Sequence, residues 1–380
     1  MRGSGYRTSS HFHCPRRQTG CGPLKDVLAV SGFGGSRVAA TNSANPSFSI
    51  PILKLSMISS PSETSQPEPQ PAGSLAARAR IQGAMFSFRL IRLLGALAVV
   101  GSVLGLLAPF HWIPDIISQL SVQFTFLLVP AAAMAWWQQR MWLSLLCFLL
   151  LGWNGAKMVP YFQDPADGLE TRRDVVVFRL AVFNVLRTNE QFAATLDSIR
   201  SADADFLYLM EVQPAWKPYL ESLREEYPYQ EVRTDPEYLG VAFLSKRPWR
   251  QIEVIDLGYV SNPSIDARIP TGDTSRPDLR LIATHPLPPF GELLTSSRDE
   301  QLLTLIERFQ DGEAQLLCGD FNLSPWSPRF DRLCRQGALI DASRGFGLTP
   351  TLIPLPTILG GIKVDHVLRN DSIRVHDYKV

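Results

Sequence analysis

Asp320 and Asn322 stand two apart where the apolar run "LLCGDFN" ends. If that segment is extended, side chains two apart point the same way. One could then orient a nucleophile while the other donates to the group under attack. Asn184 in "LAVFNV", Glu211 in "FLYLMEV", His285 in "LIATHP" and Asp365 in "IKVDHVL" interrupt or end other runs fit for burial. A lone polar residue at a strand end usually caps a nearby loop. Five runs that each carry one point to convergence, because strand ends of layered sheets meet at one face. Carboxylates gathered there repel unless a cation or a proton lies among them, and a hard divalent ion held by oxygen ligands is the natural solution. The chemistry suited to such a set is attack of water on a phosphate ester. A carboxylate-bound Mg2+ polarises a phosphoryl oxygen and stabilises the leaving oxygen, while a carboxylate or imidazole takes the water's proton.

The elements that must position these residues begin near Val175. "DVVVFRLAVFNV", "DFLYLMEV", "YLGVAFLS", "DLRLIATH", "AQLLCGDF" and "IKVDHVLR" are predicted strands by their β-branched and apolar content. "NEQFAATLDSIRS" is a predicted helix with Phe192, Leu196 and Ile199 on one stripe, and "WKPYLESLREEYP" another, closed by Pro228. A third is predicted from about Ser297, where Ser297 and Glu300 have capping-box spacing. Interleaved strands and helices indicate an α/β or α+β domain.

Taken in order, these motifs resemble the endonuclease/exonuclease/phosphatase superfamily of deoxyribonuclease-I-like enzymes. "THPLPP" and "NLSPWSP" are most similar to its membrane-anchored branch. The likeness covers roughly residues 175 to 380, within a domain placed at 171–380. It implies a two-sheet β-sandwich flanked by helices, a Mg2+ or Mn2+ cofactor and hydrolysis of a phosphate ester. Glu211 would be the principal metal ligand, with Asn184 beside it completing the metal and phosphate contacts. Asp320, also at the metal, would orient or deprotonate the water, and Asn322 would hold the phosphate. His285 would be one of two phosphate-contacting histidines, and Asp365 would orient the second. The family pattern places that second histidine in a Ser-Asp-His segment on a further strand, whereas here the chain reads "RVHDYKV". His376 and Asp377 have the reversed order and do not replace it. Without that strand, the sheet edge beside "IKVDHVLR" is expected to be bare and activity poor. The alternative to an active phosphoesterase is an impaired member acting as a binding module.

Arg298 is placed either to reach a substrate phosphate or as a solvated helix residue. Trp326 is expected to anchor the loop after "GDFN", and His366, facing away from Asp365, to pack. Cys318 and Cys334 read as buried thiols, and no cysteine has zinc-site spacing. The substrate stays open among nucleic acid, a phospholipid headgroup and a small phosphoester.

In 380 residues with a net charge of +1, nothing argues for a global polyanion-binding surface. The hydrophobicity is uneven. Residues 1–84 are rich in Ser, Pro, Gly and Arg and read as disordered, or as an extension ahead of a start at Met57 or Met85. Three apolar runs follow, near Leu90–Phe110, Ile116–Trp137 and Met141–Val159. Each approaches the ~20 residues a helix needs to span a bilayer. The expectation is a multi-pass membrane domain at 85–162 with three transmembrane helices. Trp112, Trp136, Trp137, Trp142 and Trp153 fit interfacial belts. Arg78, Arg80, Arg89 and Arg92 precede the first run and Arg140 lies in the second turn, which predicts an extracytoplasmic catalytic domain, against the trend of Arg172 and Arg173.

Overall fold

The computed structural model describes residues 72–163, 176–237, 239–257, 262–272, 276–352 and 360–380. All belong to one compact unit, Pro61–Val380. The expectation of disorder over residues 1–71 and the positions of Arg172 and Arg173 lie outside the described residues.

The helical section opens with α1, Ala72–Gly105. Residues 72–84, expected to be disordered, are its first turns. "AGSLAARARIQGA" is dominated by strong helix formers, so propensity carries the helix well upstream of the apolar run. Next come α2 (Trp112–Ser118), α3 (Ser121–Trp137) and α4 (Met141–Met158). Of the three transmembrane helices expected here, two have unbroken helical counterparts, and the remaining run forms a bent pair. Two helical stretches, Gln82–Gly105 and Met141–Tyr161, are long and apolar enough to cross a membrane, whereas α2 and α3 are a pair bent by 65°. The bend follows the polar "SQLS" between them, and it turns α2 so that Asp115 is completely buried.

Two mixed sheets flanked by helices make up the remainder. The four-stranded sheet contains β1 (Leu180–Asn184), β2 (Phe206–Met210), β3 (Tyr229–Arg233) and β4 (Val241–Ser245), in the order β1-β2-β4-β3. The six-stranded sheet contains β5 (Gln251–Leu257), β6 (Asn262–Ile269), β7 (Leu279–Ala283), β8 (Ala314–Asp320), β9 (Ile340–Asp341) and β10 (Asp365–Arg369). Its order is β5-β6-β7-β8-β10-β9. Alternation of side chains explains the layering. Phe206, Tyr208 and Met210 of β2 face the inter-sheet core with Ile265, Leu281, Leu316 and Cys318. Leu207 and Leu209 face outward against α5 (Phe192–Ala202) and α6 (Lys217–Glu221), through Leu196, Ile199 and Leu220. Helices α7 (Glu292–Ile306) and α8 (Pro328–Gln336) cover the other sheet with Leu302, Leu305, Phe330 and Leu333. Strands buried on both faces read as continuous apolar runs, which is how "FLYLM" and "VAFLS" appear.

Two expectations are corrected. Helix α7 starts at Glu292 after Gly291, so Ser297 is a buried interior residue and not a cap. Strand β10 is not bare: β8 pairs with its full length and β9 with its last two residues. Among the described residues the edge strands are β1 and β3 of the smaller sheet and β5 and β9 of the larger.

Candidate active site

Pairing brings the polar strand ends together. Parallel β1 and β2 end in register at Asn184 and Met210, so Glu211 follows directly beside Asn184. Parallel β7 and β8 run side by side, and the Thr284 N–H donates to the Cys318 carbonyl at 2.9 Å, which carries His285 to the level of Asp320. Antiparallel β10 starts where β8 ends, with Asp365 opposite Asp320. The two sheets are joined at this point by the Asp320 N–H, which reaches Met210 Sδ at 3.1 Å.

Asn184 Nδ2 donates to Glu211 Oε1 at 2.8 Å, and the Arg187 N–H donates to Oε2 at 2.9 Å. Asn184 also donates toward Asp320. Its own Oδ1 accepts from the Leu186 N–H at 3.0 Å. Asn184 thus turns donors to the carboxylates and clamps Glu211. The His285 Nε2 lies 3.8 Å from Asp320 Oδ2. Burial lowers the His285 pKa, against the pull of Glu211 and Asp365, so the ring is held neutral. Burial raises Asp320 to about 6, with Glu211 adding repulsion and the Asn322 N–H and Asn184 opposing it. Asp365 is likewise raised to about 6 by burial and by Asp320, against a hydrogen bond from Thr351.

The "GDFN" segment does not stay extended past the end of β8. Asn322 has φ of 49° and its N–H donates back to Asp320 Oδ1 at 2.8 Å, while Nδ2 donates to the Pro286 carbonyl at 3.0 Å. Asn322 therefore curls over the strand end, joining the loop after β8 to the loop after His285. Glu211 too occupies the left-handed region, at φ 61°. Strained non-glycine residues of this kind persist where surrounding structure over-determines them, often at functional sites. Gly319 shows why this strand end is so tight: at φ 136°, a Cβ there would lie 1.8 Å from the Thr284 carbonyl oxygen.

Arg298 does not reach the site opening. It is fully buried, its guanidinium bonded to Asp299 Oδ1 at 3.0 and 2.8 Å and to the Asn322 carbonyl at 2.9 Å. Both expectations for it, phosphate contact and solvation, are corrected: it is an internal brace of the Asn322 loop. His366 is buried, stacks on Phe321 and donates to the Leu323 carbonyl at 2.8 Å. Trp326 is buried against Tyr161, and His376 is exposed on the segment after β10.

Sequence reasoning missed the residues that fix His285. Asn262 Nδ2 donates to its carbonyl at 2.7 Å, and Gln301 Nε2 holds Ser264 and Thr284 at 3.2 and 3.1 Å. The polar start of β6, "NPSIDARI", was the available signal. Thr351, which accepts from the Asp365 N–H at 3.1 Å, carried none.

A divalent cation can be tested against this donor set. Glu211, Asp320 and Asp365 supply hard oxygen donors, with Glu211 and Asp365 each adding repulsion at or near Asp320, and His285 Nδ1 is a buried nitrogen with no hydrogen-bond partner among the described residues. Among the described residues no three His, Cys, Asp or Glu side chains form a ready metal cage. That combination suits an ion held by one or two carboxylates and completed by water and substrate phosphate, as Mg2+ commonly is.

The family described as "Endonuclease/Exonuclease/phosphatase family" matches residues 181–380, and the chain belongs to it. Members of this family are hydrolases acting on phosphate esters. No curated protein matches the chain. Among solved structures, truncated Caenorhabditis elegans TDP2 is 15% identical, with 51% of this chain and 84% of that chain covered and a TM-score of 0.41. The human Nocturnin catalytic domain with bound sulfate is 17% identical, with coverage of 51% and 83% and a TM-score of 0.41. The 3′ phosphatase NExo from Neisseria bound to a product DNA hairpin is 15% identical, with coverage of 52% and 88% and a TM-score of 0.42.

Proposed function

We propose that this chain is a divalent-metal-dependent phosphoesterase in which water attacks a phosphate ester, anchored to a membrane by the helical section at 85–162. The observation that carries the reading is the convergence of Glu211, Asp320 and Asp365, clamped by Asn184 and flanked by His285.

Glu211, on the open side of the cluster, would hold Mg2+ or Mn2+ together with Asp320. When bound, the ion supplies positive charge to polarise the phosphoryl oxygen and stabilise the leaving oxygen. Asp320 receives the proton of the attacking water at its carboxylate. His285, neutral and with an uncommitted Nδ1, donates to a phosphate oxygen as charge builds there. Asn322 and Asn184 supply amide donors at the two sides of the cluster, and Asp365 orients the groups around Asp320. Nucleic acid, a phospholipid headgroup and a small phosphoester all present the group this arrangement would act on.

The membrane reading rests on the surface of the helices. Leu93, Leu97, Leu149, Trp142 and Phe148 are exposed, an apolar band unsuited to water.

The test is phosphoesterase assay of the purified full chain on a generic phosphodiester. Activity should appear with Mg2+ or Mn2+, vanish in excess EDTA and return on adding metal. Hydrolysis undiminished by EDTA would overturn the mechanism.

A further inference from the structure

The loop that carries Asn322 owes its hydrogen bonds largely to groups outside the sandwich strands. Buried backbone donors and acceptors must find partners, and residues 323–327 are almost wholly buried. The Ser324 N–H donates to Gln119 Oε1 at 3.2 Å, between α2 and α3. The Trp326 carbonyl accepts from Lys157 Nζ at 3.3 Å, on α4. The Ser327 hydroxyl donates to Asp115 Oδ1, on α2. The Trp326 ring packs with Val122, Met158 and Tyr161 of the same section.

Asp115 is the centre of this seam. An unpaired carboxylate with no solvent contact is costly, and Asp115 is fully buried. Its Oδ2 lies 3.6 Å from Arg298 Nη2 and 3.4 Å from Arg329 Nε. Arg298 in turn holds the Asn322 carbonyl at 2.9 Å. A chain of charge and hydrogen bonds therefore runs from the helical section to the peptide of Asn322, whose N–H caps Asp320.

We propose that the helical section completes the active site as well as anchoring it, and that Asp115 and Gln119 are positioning residues that fix the Asn322 loop over Asp320. Trp326, Ser324 and Ser327 are the loop's points of attachment. The consequence for catalysis rests on the phosphoesterase reading, but the consequence for loop order does not. Gln123 provides an internal control. It lies one turn along α3 from Gln119, and its Nε2 donates to the Gly361 carbonyl at 3.0 Å, away from the loop.

The experiment compares the full chain with Asp115→Asn, Gln119→Ala and Gln123→Ala variants in one detergent or lipid environment. Asp115→Asn keeps an oxygen for Ser327 but removes the charge facing the two arginines. Gln119→Ala deletes a single hydrogen bond and so leaves the fold intact. Amide hydrogen exchange of residues 321–328 should rise at least ~10-fold in the first two variants and not in Gln123→Ala. Protection of β8 and β10 should be unchanged in all three. In the same variants kcat should fall about 10–100-fold with KM nearly constant, the pattern expected of a misplaced reacting group. Unchanged loop exchange in both Asp115→Asn and Gln119→Ala would overturn the proposal, as would a loss of protection spread evenly through the sandwich. If the wild-type chain hydrolysed nothing while loop exchange rose as expected, the positioning role would stand and the phosphoesterase reading would fall.

Discussion

Glu211 and Asp320 are both acidic, yet they sit in different surroundings. Glu211 is partly exposed at the mouth of the cluster, and Asn184 and the Arg187 N–H hold it in a left-handed backbone position. Glu211→Gln preserves shape and removes charge. Free Mn2+ measured by electron paramagnetic resonance should show the dissociation constant weakened at least ~10-fold. An unchanged constant would place the ion elsewhere. Gly319→Ala addresses the turn instead. Its Cβ would collide with the Thr284 carbonyl at a φ unsuited to L-residues, so the variant should lose about 1–3 kcal/mol or more in denaturant unfolding. At this scale the residue types were legible in the sequence. Each site position broke an apolar run, and burial of such runs is what forces their polar members to one place. Their orientations were not legible. Nothing in "GDFN" distinguishes an extended segment from one that curls at Asn322, because the decision is made by Thr284 and Pro286 on a neighbouring chain segment. Arg298 was misplaced for the same reason: its partners, Asp115 and the Asn322 carbonyl, lie far away in sequence.

Among the elements, β2, β4, β7, β8 and β10 correspond to predicted strands, since burial on both faces leaves long apolar signatures. Strands β3, β5, β6 and β9 were missed. "QIEVIDL" and "NPSIDARI" are broken by charges, and the structure shows what those charges do. Asp266 of β6 is buried and accepts from Arg280 of β7 at 3.0 and 2.7 Å, and from Arg308 beyond α7 at 2.8 Å. Burial alone would raise its pKa, but the Arg280 and Arg308 bonds outweigh it and hold the carboxyl below its ordinary value. A depressed folded value contributes stability above the unfolded pKa near ~4, and that contribution is lost as pH falls through the folded value. Asp266→Asn should therefore destabilise the fold at neutral pH by about 1–3 kcal/mol, since it leaves the buried Arg280 with only Glu313, 3.6 Å away, as a charge partner. It should also flatten the acid limb of the stability curve. Equal acid dependence in the two proteins, followed by circular dichroism, would show that the cluster does not carry it.

For the whole molecule, the groups of the helical section that touch the sandwich, Asp115, Gln119, Gln123 and Lys157, lie together at one end of its helices. That end is the one the arginine distribution assigns to the outer side. A reporter enzyme fused after position 165 should accordingly be active only as an extracytoplasmic fusion. Alkaline phosphatase that stayed silent there, with a cytoplasmic reporter active, would reverse the orientation. The apolar content of the section was plain from the sequence. The 65° bend was not, because the buried aspartate beside it is stabilised by Ser327, Arg298 and Arg329, all supplied from the other half of the chain.

The pairing of β10 with β8 has a consequence for biosynthesis. Asn184 and Glu211 emerge from the ribosome early, whereas Asp365 enters only when β10 docks beside a strand made long before. Contacts between such distant segments form slowly, after the local helices and hairpins. A nascent or proteolytically shortened chain can therefore hold folded helices and half a sandwich while its cluster of carboxylates is still incomplete. The cluster of carboxylates is completed in one late step, when β10 docks between β8 and β9.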